Sequence, residues 1–272
     1  MDVRLASSPG HPGRPNEDFV GAVPGAVVLI DGAGIPGTEA ICRHGVAWYA
    51  CTLGSTLLGL LSRRPEVDLV AALAESIEHV AGLHRHSCDL AHPSSPQATV
   101  AVVRYGDAHA DHLVLADAFV VLDPTDAGPE VVTDAREVDV RAECTIPLRD
   151  LRPGTAAYDE VLPGVLSALR ARRNQPGGYW IAKDDPAAAA EAVSGSADLR
   201  ELNGVALLSN GAARIVDPYG RASWPEALTV LRTQGPEDVL RRVRAAEGEQ
   251  PTEGPTPDDA SVAYCESLWS RA

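Results

Sequence analysis

Positive charge is scarce in this 272-residue sequence, which has a single lysine, Lys183. The 23 basic residues stand against 38 acidic ones, so the formal net charge is −15. Nucleic acids and anionic membrane surfaces both bind through clustered Lys and Arg. We therefore exclude both as principal partners. A small phosphorylated group can still be captured by one arginine or by a metal ion.

Paired cysteines and long apolar segments are also lacking. The five cysteines form no Cys-x-x-Cys pair, which indicates reduced thiols in a cytosolic protein. Cys42 and Cys51 fall on one expected helix and are interpreted as core thiols. The first residues contain no apolar signal segment, and the most apolar stretch, 46–61, is too short to span a bilayer. These features predict a cytoplasmic protein.

The motifs of several enzyme classes are missing. The sequence contains no Walker-type phosphate loop, no Gly-x-Gly-x-x-Gly and no Gly-x-Ser-x-Gly nucleophile elbow. All eight histidines lie at or before His112, and none follows an obvious strand-to-helix turn. Nucleotide-binding enzymes and serine hydrolases are therefore disfavoured.

The pattern of apolar residues predicts a single α+β domain over residues 1–272. An unbroken apolar strand at 26–30 ends at Asp31 and a glycine-rich turn, and Asp68 is a plausible N-cap for a helix at 69–83. No linker or internal repeat interrupts the chain. The other expected elements are strands at 98–103, 113–122, 131–133, 138–142, 205–209 and 260–266, and helices at 39–61, 158–173, 186–193, 225–232 and 236–247.

Acidic and amide residues cluster where predicted strands meet turns. Carboxylates gathered from separate strand ends suit hard divalent cations, which prefer oxygen ligands. Asp-Gly and Asn-Gly are also ordinary turn sequences, and for any one cluster that interpretation is favoured. Four clusters in series point to a metal site. They are Asn16-Glu17-Asp18, Asp31-Gly32-Ala33-Gly34, Ser209-Asn210-Gly211 and Asp258-Asp259.

The order of these motifs resembles the type 2C metal-dependent protein phosphatase family, in a divergent bacterial form. Each motif is short and degenerate, but together they span nearly the whole chain in the family's order. The matching segments are Asn16-Glu17-Asp18 (Glu-Asp), 28–34 (strand and Asp-Gly-x-Gly), 97–101 (Gly-Ser-Thr-Ala), 115–118 (Val-Gly-Asp-Ser), 207–211 (Leu-Leu-x-Ser-Asp-Gly) and 258–262 (Asp-Asn-x-Ser/Thr-Val).

The resemblance implies a four-layer α-β-β-α sandwich of two antiparallel sheets flanked by helices. It places two Mn²⁺ or Mg²⁺ ions at one end, bridged by Asp31 as the central catalytic ligand, and Arg14 as the phosphate clamp. The reaction it implies is attack by a metal-bridging hydroxide on phosphoserine or phosphothreonine in a protein substrate. The other implied metal ligands are Glu17, Asp18, the Gly32 carbonyl, Asn210 and Asp258, with Asp117 as a third-metal candidate and Asp259 as a substrate-binding residue.

Departures from the family pattern leave an alternative open. Asn210 replaces an anionic ligand with a neutral amide, which is expected to weaken a divalent site. Ala116 stands where the family has glycine, and Gly34-Ile35 lacks a second glycine. Arg14 is one residue closer to Glu17 than expected. A catalytically weakened relative that binds phosphoproteins is the alternative function.

Two further segments have competing interpretations. His84, His86, Cys88 and His92 offer zinc ligands in a short span, although a polar loop explains them equally well. Gly177-Gly178-Tyr179-Trp180 follows an arginine cluster and could form a phosphopeptide-docking flap, but core packing of the aromatic residues is favoured. The clustered arginines are Arg170, Arg172 and Arg173.

Overall fold

The computed structural model describes residues 2–34, 40–249 and 256–266. Within these ranges, ten strands form two antiparallel five-stranded sheets. The strands are β1 (Asp2–Ser8), β2 (Asp18–Val23), β3 (Ala26–Ala33), β4 (Gln97–Tyr105), β5 (His109–Leu115), β6 (Phe119–Pro124), β7 (Glu130–Val132), β8 (Val193–Asp198), β9 (Leu202–Leu208) and β10 (Ala260–Glu266). One sheet has the order β1-β10-β9-β6-β7 and the other β2-β3-β4-β5-β8.

Helices cover the outer faces of the two sheets, which confirms the expected sandwich. The α-helices of the described residues are α1 (Gly45–Arg63), α2 (Leu69–His84), α3 (Arg136–Cys144), α4 (Ala156–Ala171), α5 (Asn210–Ala213), α6 (Trp224–Thr233) and α7 (Pro236–Gly248). The first two pack on the sheet that contains β3 and β4, and the last three pack on the sheet that contains β9 and β10.

Side-chain alternation along β3 shows how the layers are held together. Val28 and Ile30 face the core formed with α1 and α2, whereas Val27 and Leu29 face the core between the sheets. All four are fully buried. A strand buried on both faces needs an unbroken apolar run, and full burial of each such side chain is worth roughly 1.5–3 kcal/mol. The sheet therefore holds the end of β3, where Asp31 lies, in a fixed position.

Several local predictions are confirmed. Asp68 caps α2 by accepting the backbone N–H of Ala71 at 2.9 Å. Strand β3 and helices α6 and α7 lie within a few residues of their expected bounds. Among the described helices, α1 alone is long and apolar enough to cross a membrane, and half of that stretch is buried inside the fold.

Other local predictions are wrong. Residues 138–142 belong to α3 rather than to a strand, because acidic residues in the first turn and Arg141 in the last favour a helix there. Val138 and Val140 alternate in sequence with polar residues, which imitates a strand, but on the helix Val138 is exposed and Val140 is buried. Helix α1 begins only at Gly45, so Cys42 precedes it, and Cys51 is exposed rather than in the core.

Candidate metal centre

Two aspartates face each other across the β2–β3 pair. Asp18 and Asp31 are direct cross-strand partners, so their side chains lie on the same face of the sheet. Like charges at such positions repel. Both carboxylate oxygens of Asp18 are buried and find no hydrogen-bond partner among the described residues. Asp31 accepts one hydrogen bond, from the Asn210 backbone N–H to Oδ2 at 3.2 Å.

The environment of this pair disfavours its negative charge. Burial, then the charge of Asp18 and then that of Asp117, raise the pKa of Asp31 well above its ordinary value. Burial raises the pKa of Asp18 to about 7, and the nearby hydroxyls of Ser261 and Ser209, which form no hydrogen bond of normal geometry with it, offset part of this effect. A buried carboxylate without partners and a second carboxylate beside it fit a divalent cation, which would neutralise both and fill the free coordination positions.

Asn210 binds a neighbouring carboxylate with its side chain. Its Nδ2 donates to Oδ2 of Asp117 at 2.8 Å. Burial, followed by the charge of Glu137, raises the pKa of Asp117 to about 6. Ala116, immediately before, has a φ of 63°, a conformation that glycine adopts without steric strain. The Asn210 amide thus stabilises Asp117 by donating a hydrogen bond, which a carboxylate at position 210 could not do.

Arg214 is a functional candidate that the sequence reasoning missed. Its Nη2 donates to Asp258 Oδ2 at 2.6 Å, and its Nη1 donates to the Thr256 carbonyl at 2.8 Å. Burial raises the pKa of Asp258, and the arginine opposes that rise. The sequence offers one signal for Arg214, namely that it follows Asn210 by four residues, about one helical turn. The predicted ligand Asp258 is therefore engaged in an ion pair.

Asp259 joins the start of β10 to two other backbone segments. Its Oδ1 accepts the Gly10 backbone N–H at 2.7 Å and its Oδ2 accepts that of Glu17 at 2.5 Å. Glu17 in turn accepts the Gly32 N–H through its carbonyl at 3.1 Å. Both oxygens of Asp259, which the resemblance assigned to substrate, thus accept hydrogen bonds from backbone N–H groups, and the carboxylate joins the Glu17 segment to the start of β10.

Two adjoining clefts open over these carboxylates and share Glu17, Arg214 and Asp258. The larger, of about 680 Å³, also contains Arg14. The smaller, of about 540 Å³, brings Asp31, Gly32, Asp117 and Asn210 together. Burial and the charges of Asp259 and Asp258 raise the pKa of Glu17, and Arg14 opposes that rise. Most of the predicted site residues therefore converge on one end of the sandwich.

The smaller cleft also contains polar residues that sequence reasoning missed. Thr99, the cross-strand partner of Asp31, and Gln97 line it, and each has a buried side-chain oxygen without a partner in the described chain. Arg141, which was also missed, and Arg173, which belongs to the arginine cluster noted in the sequence, add to its basic lining. The signal for Thr99 is its place in the segment that resembles the family's Gly-Ser-Thr-Ala strand.

The aromatic residues of the suspected docking flap have a packing role. Tyr179 is buried in a small core with Val140 and Leu169, and its hydroxyl accepts a hydrogen bond from Arg173 Nε at 3.1 Å. Trp180 packs against the core beneath α1 and α2. The packing interpretation is therefore the better one for both rings, while Arg173 faces the smaller cleft.

Comparison with known proteins identifies the fold. No protein-family model and no curated protein matches the sequence. The catalytic domain of the serine/threonine phosphatase PstP, solved with two manganese ions, matches over 97% of both chains at 16% identity and a TM-score of 0.61. The PPM Ser-Thr phosphatase MsPP from Mycobacterium smegmatis matches over 98% of both chains at 15% identity and a TM-score of 0.56. The serine/threonine phosphatase Stp1 from Staphylococcus aureus matches over 98% of this chain and 94% of the Stp1 chain, at 12% identity and a TM-score of 0.57. The chain has the fold of the PPM, or type 2C, serine/threonine phosphatases.

Proposed function

We propose that this chain is a divergent type 2C phosphatase that hydrolyses phosphoserine and phosphothreonine monoesters in a protein substrate, with Mn²⁺ or Mg²⁺ as cofactor. The observation that carries the proposal is the Asp18–Asp31 pair, in which both buried oxygens of Asp18 lack a hydrogen-bond partner among the described residues and Asp31 lines the smaller cleft. The five free cysteines suit the reducing environment of the cytoplasm, where we place the activity.

The residues of the chain divide the work between ion binding and substrate binding. Asp31 and Asp18 would hold two ions, with Glu17, Asp258 and the Gly32 carbonyl beside them. Ions held there would supply charge neutralisation for the phosphate and a lower pKa for the attacking water. Arg14, at the mouth of the larger cleft, would bind phosphate oxygens through its planar guanidinium.

One observation favours a second candidate, a phosphoprotein-binding relative with little or no turnover. Two carboxylates near the site are already engaged, because Asp117 accepts from the Asn210 amide and Asp258 accepts from Arg214. These contacts compete with ion binding. A chain of this kind would bind its partner through the same clefts without hydrolysing it.

The deciding experiment is hydrolysis of an aryl phosphate with Mn²⁺ titrated in, beside an EDTA control. We expect metal-dependent turnover that Asp31→Asn reduces by at least about 100-fold, the size of effect typical of removing a group that acts on the transition state. Asp126→Asn is the matched control, since Asp126 is exposed in the β6–β7 connection, at the opposite end of β6 from Asp117.

Each result separates the two candidates. Turnover that is lost in Asp31→Asn and kept in the control supports the phosphatase. Mn²⁺ binding by calorimetry without turnover supports the binding relative. Equal turnover in the wild type and Asp31→Asn would refute the assignment of this centre to catalysis.

A further inference from the structure

A second set of metal-ligating side chains lies outside the carboxylate centre. Cys42, His44, His84 and Cys88 place one ligand atom each within 4.8 Å of all the others. The first two precede α1, and the last two lie at and just beyond the end of α2. Two short pairs, Cys-x-His and His-x-x-x-Cys, are thus brought together from positions about forty residues apart in the sequence.

The distances within this cluster suit a tetrahedral ion. The sulfur of Cys42 lies 3.6 Å from His84 Nδ1 and 3.9 Å from His44 Nδ1, and the sulfur of Cys88 lies 3.3 Å from His44 Nδ1. Zinc bonds of about 2.0–2.3 Å to nitrogen and sulfur give ligand–ligand separations of about 3.3–3.8 Å in a tetrahedron. The three distances are close to the edge lengths of such a tetrahedron.

The surrounding structure holds the two segments in place. The Asp89 backbone N–H donates to the Ile41 carbonyl at 2.9 Å, which joins the segments next to the cluster. The Cys88 N–H donates to the His84 carbonyl at 3.0 Å, so these residues occupy successive positions on one side of a helical turn. The Trp48 ring stacks on His44 at a centroid distance of 4.4 Å and fixes the orientation of the imidazole.

The burial of the cluster suits a closed structural site. Cys42 and His84 are buried, whereas His44 and Cys88 are partly exposed.

We infer that Cys42, His44, His84 and Cys88 form a structural zinc site that joins the segment before α1 to the end of α2. Two sulfur and two nitrogen ligands in a tetrahedral arrangement select zinc over the harder cations of the carboxylate centre. Binding converts both thiols to thiolates and releases two protons to solvent. The sequence suggests His84, His86, Cys88 and His92 as zinc ligands; the structure keeps His84 and Cys88 and brings Cys42 and His44 to them in place of the other two.

The site adjoins the carboxylate centre without sharing a ligand with it. His44, Gly45 and Val46 line the larger cleft. A Cβ on Gly32 or on Gly34 would collide with the Val46 side chain, so the start of α1 packs directly on the loop after Asp31. A zinc ion would therefore fix this wall of the cleft while taking no part in phosphate chemistry.

The test is metal analysis and cobalt spectroscopy on the full chain. We expect about one zinc per chain after purification without added metal, retained in Asp31→Asn and lost in Cys42→Ser and Cys88→Ser. Cys51→Ser and His86→Ala are the matched controls, since Cys51 and His86 are exposed and outside the cluster. Replacement of zinc by Co²⁺ should give thiolate-to-metal charge-transfer bands and the intense d–d bands of a tetrahedral site.

The cobalt spectrum keeps the inference falsifiable if the cysteine variants fold poorly. A folded wild-type chain that takes up Co²⁺ without thiolate bands would overturn it, as would a Cys42–Cys88 disulfide in protein purified under reducing conditions. Because aryl-phosphate turnover depends on the carboxylate centre, loss of the zinc proposal and loss of the phosphatase proposal would be seen in separate measurements.

Discussion

Replacing Asp18 with asparagine should stabilise the metal-free protein at neutral pH. Both oxygens of this carboxylate are buried without a partner, and Asp31 lies directly opposite. Asparagine has nearly the same shape and no charge, and its Nδ2 can donate to the Asp31 carboxylate. The variant therefore removes electrostatic repulsion while leaving the packing of β2 on β3 unchanged.

The size of the effect follows from the pKa of Asp18. A rise from 3.8 to about 7 in the folded chain corresponds to about 4 kcal/mol of lost stability, at 1.36 kcal/mol per unit. Since the folded state binds the proton more tightly, this loss is absent below pH 3.8, grows as the pH rises and is complete above about pH 7. The Asn variant should gain up to about 4 kcal/mol at pH 8 and almost nothing near pH 4.

The assay is urea denaturation in EDTA from pH 4 to pH 8, repeated with saturating Mn²⁺. The ion stabilises the wild type by about 2.7 kcal/mol at one hundred times its dissociation constant, and the variant should gain less because it lacks a ligand. Asp111→Asn is a control for which the opposite change in stability is expected. Burial tends to raise the pKa of Asp111, but hydrogen bonds from Arg104 and Ser196 lower it overall, so its loss should destabilise the protein at neutral pH.

A pH-independent difference between Asp18→Asn and the wild type would refute this reasoning, because it would mean that the charge of Asp18 is not the destabilising feature. Lower stability of the variant at pH 8 in EDTA would refute it as well. A gain that persists undiminished with Mn²⁺ would show that Asp18 does not contribute to ion binding.

Three further substitutions test neighbouring contacts. Asn210→Asp should lower stability in EDTA by about 1–3 kcal/mol, because the hydrogen-bond donor to Asp117 becomes a second negative charge. The same variant should bind Mn²⁺ more tightly. An unchanged calorimetric isotherm would contradict the role given to Asn210. Arg214→Gln removes the cation that lowers the pKa of Asp258, so the pH at which Mn²⁺ binding is half-maximal should rise. An unchanged half-maximal pH would count against the Arg214–Asp258 ion pair. Ala116→Gly relieves a positive φ and should raise stability by up to about 1 kcal/mol in urea denaturation, whereas a loss would argue that no strain is present there.

Features that depend on near neighbours in the chain were predictable from the sequence. The apolar run before Asp31 specifies a strand buried on both faces, and Asp68 specifies a helix start, because alternation and capping involve residues only a few positions apart. The family resemblance carried by the order of short polar motifs also implied the sandwich and the gathering of its carboxylates at one end. Residues 138–142 were misread because alternating valines on a short exposed helix imitate a strand.

Contacts between distant segments were decided by the tertiary structure alone. Spacing in the sequence does not reveal that Asn210 binds Asp117 or that Arg214 binds Asp258. It also does not reveal that Asp259 accepts hydrogen bonds from backbone N–H groups. These contacts depend on how the ends of strands from both sheets pack. The Cys42–His44 and His84–Cys88 pairs lie in segments that meet only when α1 and α2 dock on the same sheet. Local composition thus determined the helices and strands and the kind of polar atoms at their ends. Packing decided which of those polar atoms pair with one another and which remain free to bind a cation.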